Sequence, residues 1–99
     1  MLVKVNIPLK TMDGQIMKDV NEQGEAIDAT FRLAIVNALL SPVQKETGID
    51  KIKKYELAKK AYTNDEVDLN EDDIKLIKER VGELYSPIIV GQIYELLKV

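Results

Sequence analysis

Apolar and polar positions alternate at the start of the chain. Val3, Val5, Ile7 and Leu9 fall on one side and Lys4, Asn6, Pro8 and Lys10 on the other. A period of two over one strand length predicts a β-strand. Pro8 has no N–H to give a ladder, so this strand lies at an edge or ends early. Asp13-Gly14 follows, the residue pair that favours the positive φ of a tight hairpin turn. Residues 15–20 are expected to return as a second strand with Ile16 or Met17 facing inward. Asn21-Glu22-Gln23-Gly24 reads as another turn, and Glu25-Ala26-Ile27 as a third short strand.

From Asp28 the period changes to that of a helix. Asp28 is the expected N-cap of a helix running to Leu40, with Phe31, Ala34, Ile35 and Leu39 apolar. Ser41-Pro42 ends it, because proline restricts the residue before it. After a loop over 43–48, a second helix is expected from about Asp50 to Thr63, with Ile52, Tyr55, Ala58 and Tyr62 on its apolar face. Residues 64–69 form a polar connector with one extended step at Val67-Asp68-Leu69. Asn70 caps a third helix, and Asp73, three residues on, completes a variant capping box. Glu71, Asp72 and Asp73 place negative charge at the positive end of that helix dipole. Ile74, Ile77, Val81 and Leu84 make its apolar stripe. Ser86-Pro87 opens a fourth helix, with proline at the first helical position, and Ile89, Ile93, Tyr94, Leu96 and Leu97 supply its buried face. The class is therefore α+β: an N-terminal β-hairpin or small meander followed by about four helices. It reads as one domain over 1–99, with a hairpin region over 1–27 and a helical region over 28–99.

Composition narrows the chemistry. With 99 residues there is room for one core. The chain has no Cys and no His, which removes disulfides, thiolate nucleophiles, Ser-His triads and the usual zinc ligand sets. A net charge of -3 gives no general attraction to nucleic acid or to an anionic membrane. The first residues alternate in polarity and lack the apolar core of a signal peptide. No stretch reaches the roughly 18 apolar residues of a spanning helix. A cytoplasmic location is the expectation.

Three features carry candidate chemistry. The first is the acidic run Asp65, Glu66, Asp68, Glu71, Asp72 and Asp73. Within it Asp68, Asn70 and Asp72 stand at the first, third and fifth positions of a calcium loop, and Glu79 at the twelfth. Asp73 occupies the sixth position, where the turn requires glycine, so a capped helix start is the favoured reading and no metal or cofactor is expected. The second is the basic set Lys51, Lys53, Lys54, Lys59 and Lys60 on the second helix, interrupted by Glu56. With no arginine and no aromatic platform expected on the same face, it reads as a solvated face turned toward the acidic run. Together with Asp65, Glu66 and Asp68 it is the candidate partner-binding surface. A nucleic-acid-associated module using this helix is the alternative. The third is the supply of carboxylates, since glycoside hydrolysis needs only two. A small single-core chain offers little room for the cleft they require, and a hydrolase ranks last. Gly82 and Gly91, each costing a helix about 1 kcal/mol relative to Ala, are expected to face one another where the last two helices pack.

The segments Leu9 to Gly14 (LKTMDG), Asn37-Ala38-Leu39-Leu40, Lys53 to Lys60 (KKYELAKK), Val67 to Asp73 (VDLNEDD) and Val90 to Leu97 (VGQIYELL) together span most of the chain. In their order the chain resembles small proteins of unknown function encoded by tailed phages and prophages. Each segment is a turn, a cap or a helix, so no catalytic residue is carried over. The resemblance implies a phage accessory or assembly role in the host cytoplasm. With no catalytic motif and with charge segregated on the surface, the expectation is a non-enzymatic protein acting by protein-protein binding, as an assembly factor or an inhibitor of a host system. A homodimer is a further expectation, arising if a strand edge or the Ile88-Ile89 face is left uncovered.

Overall fold

Period-two patterning does place Val3, Val5 and Leu9 in the core, but the partner of this strand is not the segment that follows it. The computed structural model describes residues 1–97. Its elements are β1 (Leu2–Lys4), β2 (Lys18–Val20), β3 (Ala26–Asp28), α1 (Phe31–Leu40), α2 (Gly48–Thr63), β4 (Glu66–Asp68), α3 (Glu71–Leu84) and α4 (Pro87–Leu97). The class is α+β, with two small antiparallel sheets beside four helices. β1 pairs with β4, Val3 opposite Val67, so the extended step in the acidic connector is a sheet strand. The pairing joins the hairpin region to the helical region.

The N-terminal hairpin is β2 with β3, Asp19 opposite Ile27. Asn21 closes its turn by accepting the N–H groups of Gln23 and Glu25 on Oδ1, at 3.0 and 2.9 Å. Gly24 sits there at φ 80°, a conformation that a side chain would strain. The Asp13-Gly14 turn also forms. Its flanks pair around the Lys10–Ile16 bridge, where Thr11 donates to the Gln15 carbonyl at 2.8 Å, and Ile16 is exposed while Met17 turns toward the core. Beyond it three backbones close a ring. Leu9 donates to the Ala29 carbonyl at 2.7 Å, Ala29 to Met17 at 2.9 Å, and Met17 back to Leu9 at 2.8 Å.

That ring moves the start of α1. With its carbonyl committed to the Leu9 N–H, and the Arg32 N–H committed to Val5, Ala29 stays outside the helix, and Thr30 is the N-cap, its Oγ1 accepting the Leu33 N–H at 3.2 Å. Asp28 instead ends β3 in an ion pair with Lys18. Ile7 leaves the buried alternation. Its carbonyl accepts the Phe31 N–H at 3.0 Å, and its side chain is 36% exposed against 1–2% for Val3, Val5 and Leu9. Phe31, Ala34, Ile35, Val36, Ala38 and Leu39 are all buried, and α2 and α3 both pack on α1, the central helix.

α3 begins as its sequence dictates, with both hydrogen bonds of the Asn70–Asp73 capping box formed. Ile77 and Val81 are buried, whereas Leu84 is 45% exposed. Against it α4 buries Ile93 and Leu97. The two glycines do not meet. A Cβ on Gly82 would lie 3.1 Å from the Tyr94 hydroxyl, while one on Gly91 would meet nothing. Tyr94 occupies the space beside Gly82 and donates to the Lys78 carbonyl at 3.0 Å. Between α3 and α4, burial pushes the Tyr85 phenol above its usual pKa. A hydrogen bond with Asn37 opposes that rise, and the charge of Asp19 adds to it.

Leu9 and Ile7 have equal standing in the alternating pattern and opposite standing in the fold. Leu9→Ala should cost about 2–5 kcal/mol, whereas Ile7→Ala should stay within about 1 kcal/mol. Urea unfolding of the two variants checks this, and equal losses would contradict the placement of Ile7.

Candidate functional site

The helix that carries the lysines is set in place at both ends. At its start Thr47 and Asp50 form a capping box, so α2 begins at Gly48 and Asp50 is its third residue. At its end Arg32 of α1 donates Nε to the Ala61 carbonyl at 3.2 Å and Nη2 to the Asn64 carbonyl at 2.9 Å. Those carbonyls form the negative pole of the helix dipole, where a cation is favoured. The same guanidinium pairs with Asp65.

Between these ends α2 turns inward a face that shares only Ala58 with the one expected. Lys54, Leu57, Ala58 and Ala61 are buried against the core. Ile52, Tyr55 and Tyr62 are 58%, 57% and 63% exposed, and Ile49 is exposed as well. The small side chains of Ala58 and Ala61 allow α2 to approach α1; a tyrosine there would hold the helices apart. Leu57, Ala58 and Ala61 repeat at helical spacing, and that was the signal available in the sequence. The larger residues of the other stripe obscured it.

The five lysines separate accordingly. Lys54 leaves the basic surface: it is buried in an ion pair with Glu46 of the preceding loop, their side chains 10% and 8% exposed. Lys60 donates to the Asp68 carbonyl at 2.7 Å. With Lys53 and Glu56 it borders a groove whose opposite wall is Asn70, Asp72 and Asp73, so the anticipated facing of basic helix and acidic run is present. Lys51 and Lys59 lie with the exposed stripe. Among the described residues, Lys51, Lys53 and Lys59 have no carboxylate within ion-pair distance. Ile52, Tyr55, Lys59 and Tyr62 step by three, four and three residues, so a lysine sits inside an apolar and aromatic stripe. An aromatic platform thus does share a face with lysines, contrary to expectation. Beside Tyr55 and Lys51, a shallow groove continues to Pro42 and Leu40, itself 55% exposed.

The acidic run is divided among structural tasks. Asp65 binds Arg32, and Glu66 is an exposed residue of β4 opposite Lys4. Asp68 lies 3.2 Å from the Met1 amino group. Asn70 and Asp73 cap α3. Asp72 faces Lys53, whereas Glu79 borders a different groove with Glu71, Lys78 and Tyr94. Asp68, Asn70, Asp72 and Glu79 therefore do not converge as a calcium loop would need, because the helix that starts at Glu71 carries Glu79 away. Among the described residues no three acidic side chains gather around a common point.

Ile88 and Ile89 are both half-buried, with Ile89 packed on the core, so the start of α4 leaves less apolar surface uncovered than the outer face of α2 does. No helix among the described residues is long and apolar enough to cross a membrane. Comparison with protein-family models, curated proteins and solved structures finds no match.

Removing one partner of a buried ion pair leaves the other charge without compensation. Glu46→Ala should therefore lower stability by about 3 kcal/mol, while the double variant Glu46→Ala/Lys54→Met should recover more than half of that loss. Thermal unfolding of both reads it, and an unaffected Glu46→Ala would place Lys54 back in solvent.

Proposed function

We propose that this chain is a non-enzymatic accessory protein of phage type that works by binding protein, as an assembly factor or an inhibitor of a host system, through the outer face of α2. The observation that carries the reading is the stripe Ile52, Tyr55 and Tyr62, which the chain's own fold leaves uncovered. Isolated apolar side chains are ordinary on a surface; aligned ones on a single helix face favour contact with another protein. Tyrosine suits that task because it offers a large rigid area with a polar tip and loses few rotamers on binding. Ile49 and Leu40 extend the surface with aliphatic area. The resemblance to small phage and prophage proteins supports a partner from the phage or its host.

A second reading has one observation in its favour. Tyr55 and Tyr62 alternate with Lys51 and Lys59 on one face, an arrangement on which single-stranded nucleic acid can stack. The aliphatic members of the stripe and the net charge of -3 favour protein.

Ile52→Glu and Tyr62→Glu alter only exposed side chains and should change stability by about 0.5 kcal/mol or less. Each should abolish the recovery of a protein that the wild-type chain retains from phage-infected host extract. Fluorescence anisotropy with single-stranded DNA at low salt should stay flat. Recovery that is indifferent to both substitutions removes the α2 face from function, and saturable DNA binding lost in Tyr62→Glu would support the second reading in its place.

A further inference from the structure

The outer face of α2, proposed above to bind a phage or host partner, carries a residue order that also suits a second copy of this chain, whose weak pairing leaves the face free at low concentration. Ile52, Tyr55, Lys59 and Tyr62 have the three-four-three spacing of a coiled-coil seam. The stripe is also symmetric about the level of Leu57. Ile52 lies five residues before it and Tyr62 five after; Tyr55 lies two before and Lys59 two after. Leu57 itself points the other way, into the core. Glu56 stands on the flank of the stripe, next to Lys59 around the helix.

We infer that a second copy of this chain covers the stripe, with the two α2 helices antiparallel about a two-fold axis at the level of Leu57. In that arrangement Ile52 of each copy comes level with Tyr62 of the other, apolar on apolar. Tyr55 comes level with Lys59, where an ammonium over a phenol ring is favourable. Glu56 of one copy lies one residue, about 1.5 Å along the axis, from the level of Lys59 of the other and on the same flank, so the lysine that the stripe encloses meets a carboxylate. A parallel pairing does the reverse. It sets Lys59 beside Lys59, which like charges oppose, and carries Glu56 of each copy to the opposite flank, away from the partner's Glu56. The self-complementary order is what an isologous interface requires: what one copy offers at a given level, the other accepts at the same level. Leu40 and Pro42 border the Tyr55 side of the stripe and add apolar rim. One helix face per copy is a small interface, of the size class of weak and transient associations.

This inference rests on the reading of α2 as a protein-binding face, and charge exchange separates the two. Sedimentation equilibrium of the full chain from low micromolar to near-millimolar concentration should show a monomer–dimer equilibrium. Glu56→Lys and Lys59→Glu each turn two attractions into two repulsions and should each weaken the dimer about tenfold. The double variant Glu56→Lys/Lys59→Glu should restore it. An equimolar mixture of the two single variants should form a heterodimer, because each then supplies the charge the other lacks. A wild-type chain that stays monomeric over the whole range overturns the inference, as does a dimer that neither the double variant nor the mixture restores. If the chain stays monomeric and Ile52→Glu still abolishes partner recovery, the pairing of copies falls and the binding face stands. If the chain stays monomeric and no stripe variant changes any binding, both fall.

Discussion

Val5 donates its N–H to the Asp65 carbonyl at 2.9 Å and accepts the Arg32 N–H on its own carbonyl at 2.7 Å. Through one residue the N-terminal segment thus holds the connector after α2 and the first turn of α1. Its neighbours do likewise. Met1 accepts the Leu69 N–H, Ile7 accepts that of Phe31, and Leu9 belongs to the ring with Met17 and Ala29. A buried backbone group without a partner costs about as much as a lost hydrogen bond, so a segment carrying Val3, Val5 and Leu9 into the core needs a partner along its whole length. No single element supplies one. The segment takes its partners in turn from β4, from the open N-terminus of α1 and from the hairpin. The positions of the helices follow from those attachments.

The two arginines of the chain serve the same end. Arg32 closes the C-terminal end of α2. Arg80, itself buried, donates Nε to the Ala38 carbonyl near the end of α1 at 3.3 Å and pairs with Glu83. Both bring a planar multi-donor group to helix carbonyls that lack partners, a task to which a fork of N–H groups is better suited than a single ammonium. Of the lysines on α2, only Lys54 is buried in an ion pair. The others leave α2 a charged outer surface in which the apolar stripe is embedded.

Local signals in the sequence were legible and distant pairings were not. Asn70 with Asp73, Ser41-Pro42, Pro87 and the turn at Asn21 to Gly24 each act within a few residues, and each appears where the pattern places it. The partner of β1 lies more than sixty residues away, at Val67, and no local rule chooses it over the nearer return strand. The cap of α1 moved from Asp28 to Thr30 because a tertiary hydrogen bond claimed Ala29. The inward face of α2 is hidden in the sequence for a related reason. α2 is apolar on two sides, and burial follows the side whose volume fits against α1, namely Leu57, Ala58 and Ala61. Volume fit is a property of the neighbour, invisible in the helix's own periodicity. The stripe that carries the proposed function is therefore the one that hydrophobicity alone assigns to the core.

Since the account makes the N-terminal segment the common support of both sheets and of α1, native-state hydrogen exchange at its amides tests it most directly. The amides of Val5, Leu9, Arg32 and Leu69, each bonded to or from that segment, should exchange only through global unfolding, with protection free energies matching the stability measured by urea. Exchange of Val5 and Leu69 through a separate opening well below that stability, with α1 and α3 still protected, would show that the helices stand without the strand and would contradict the account.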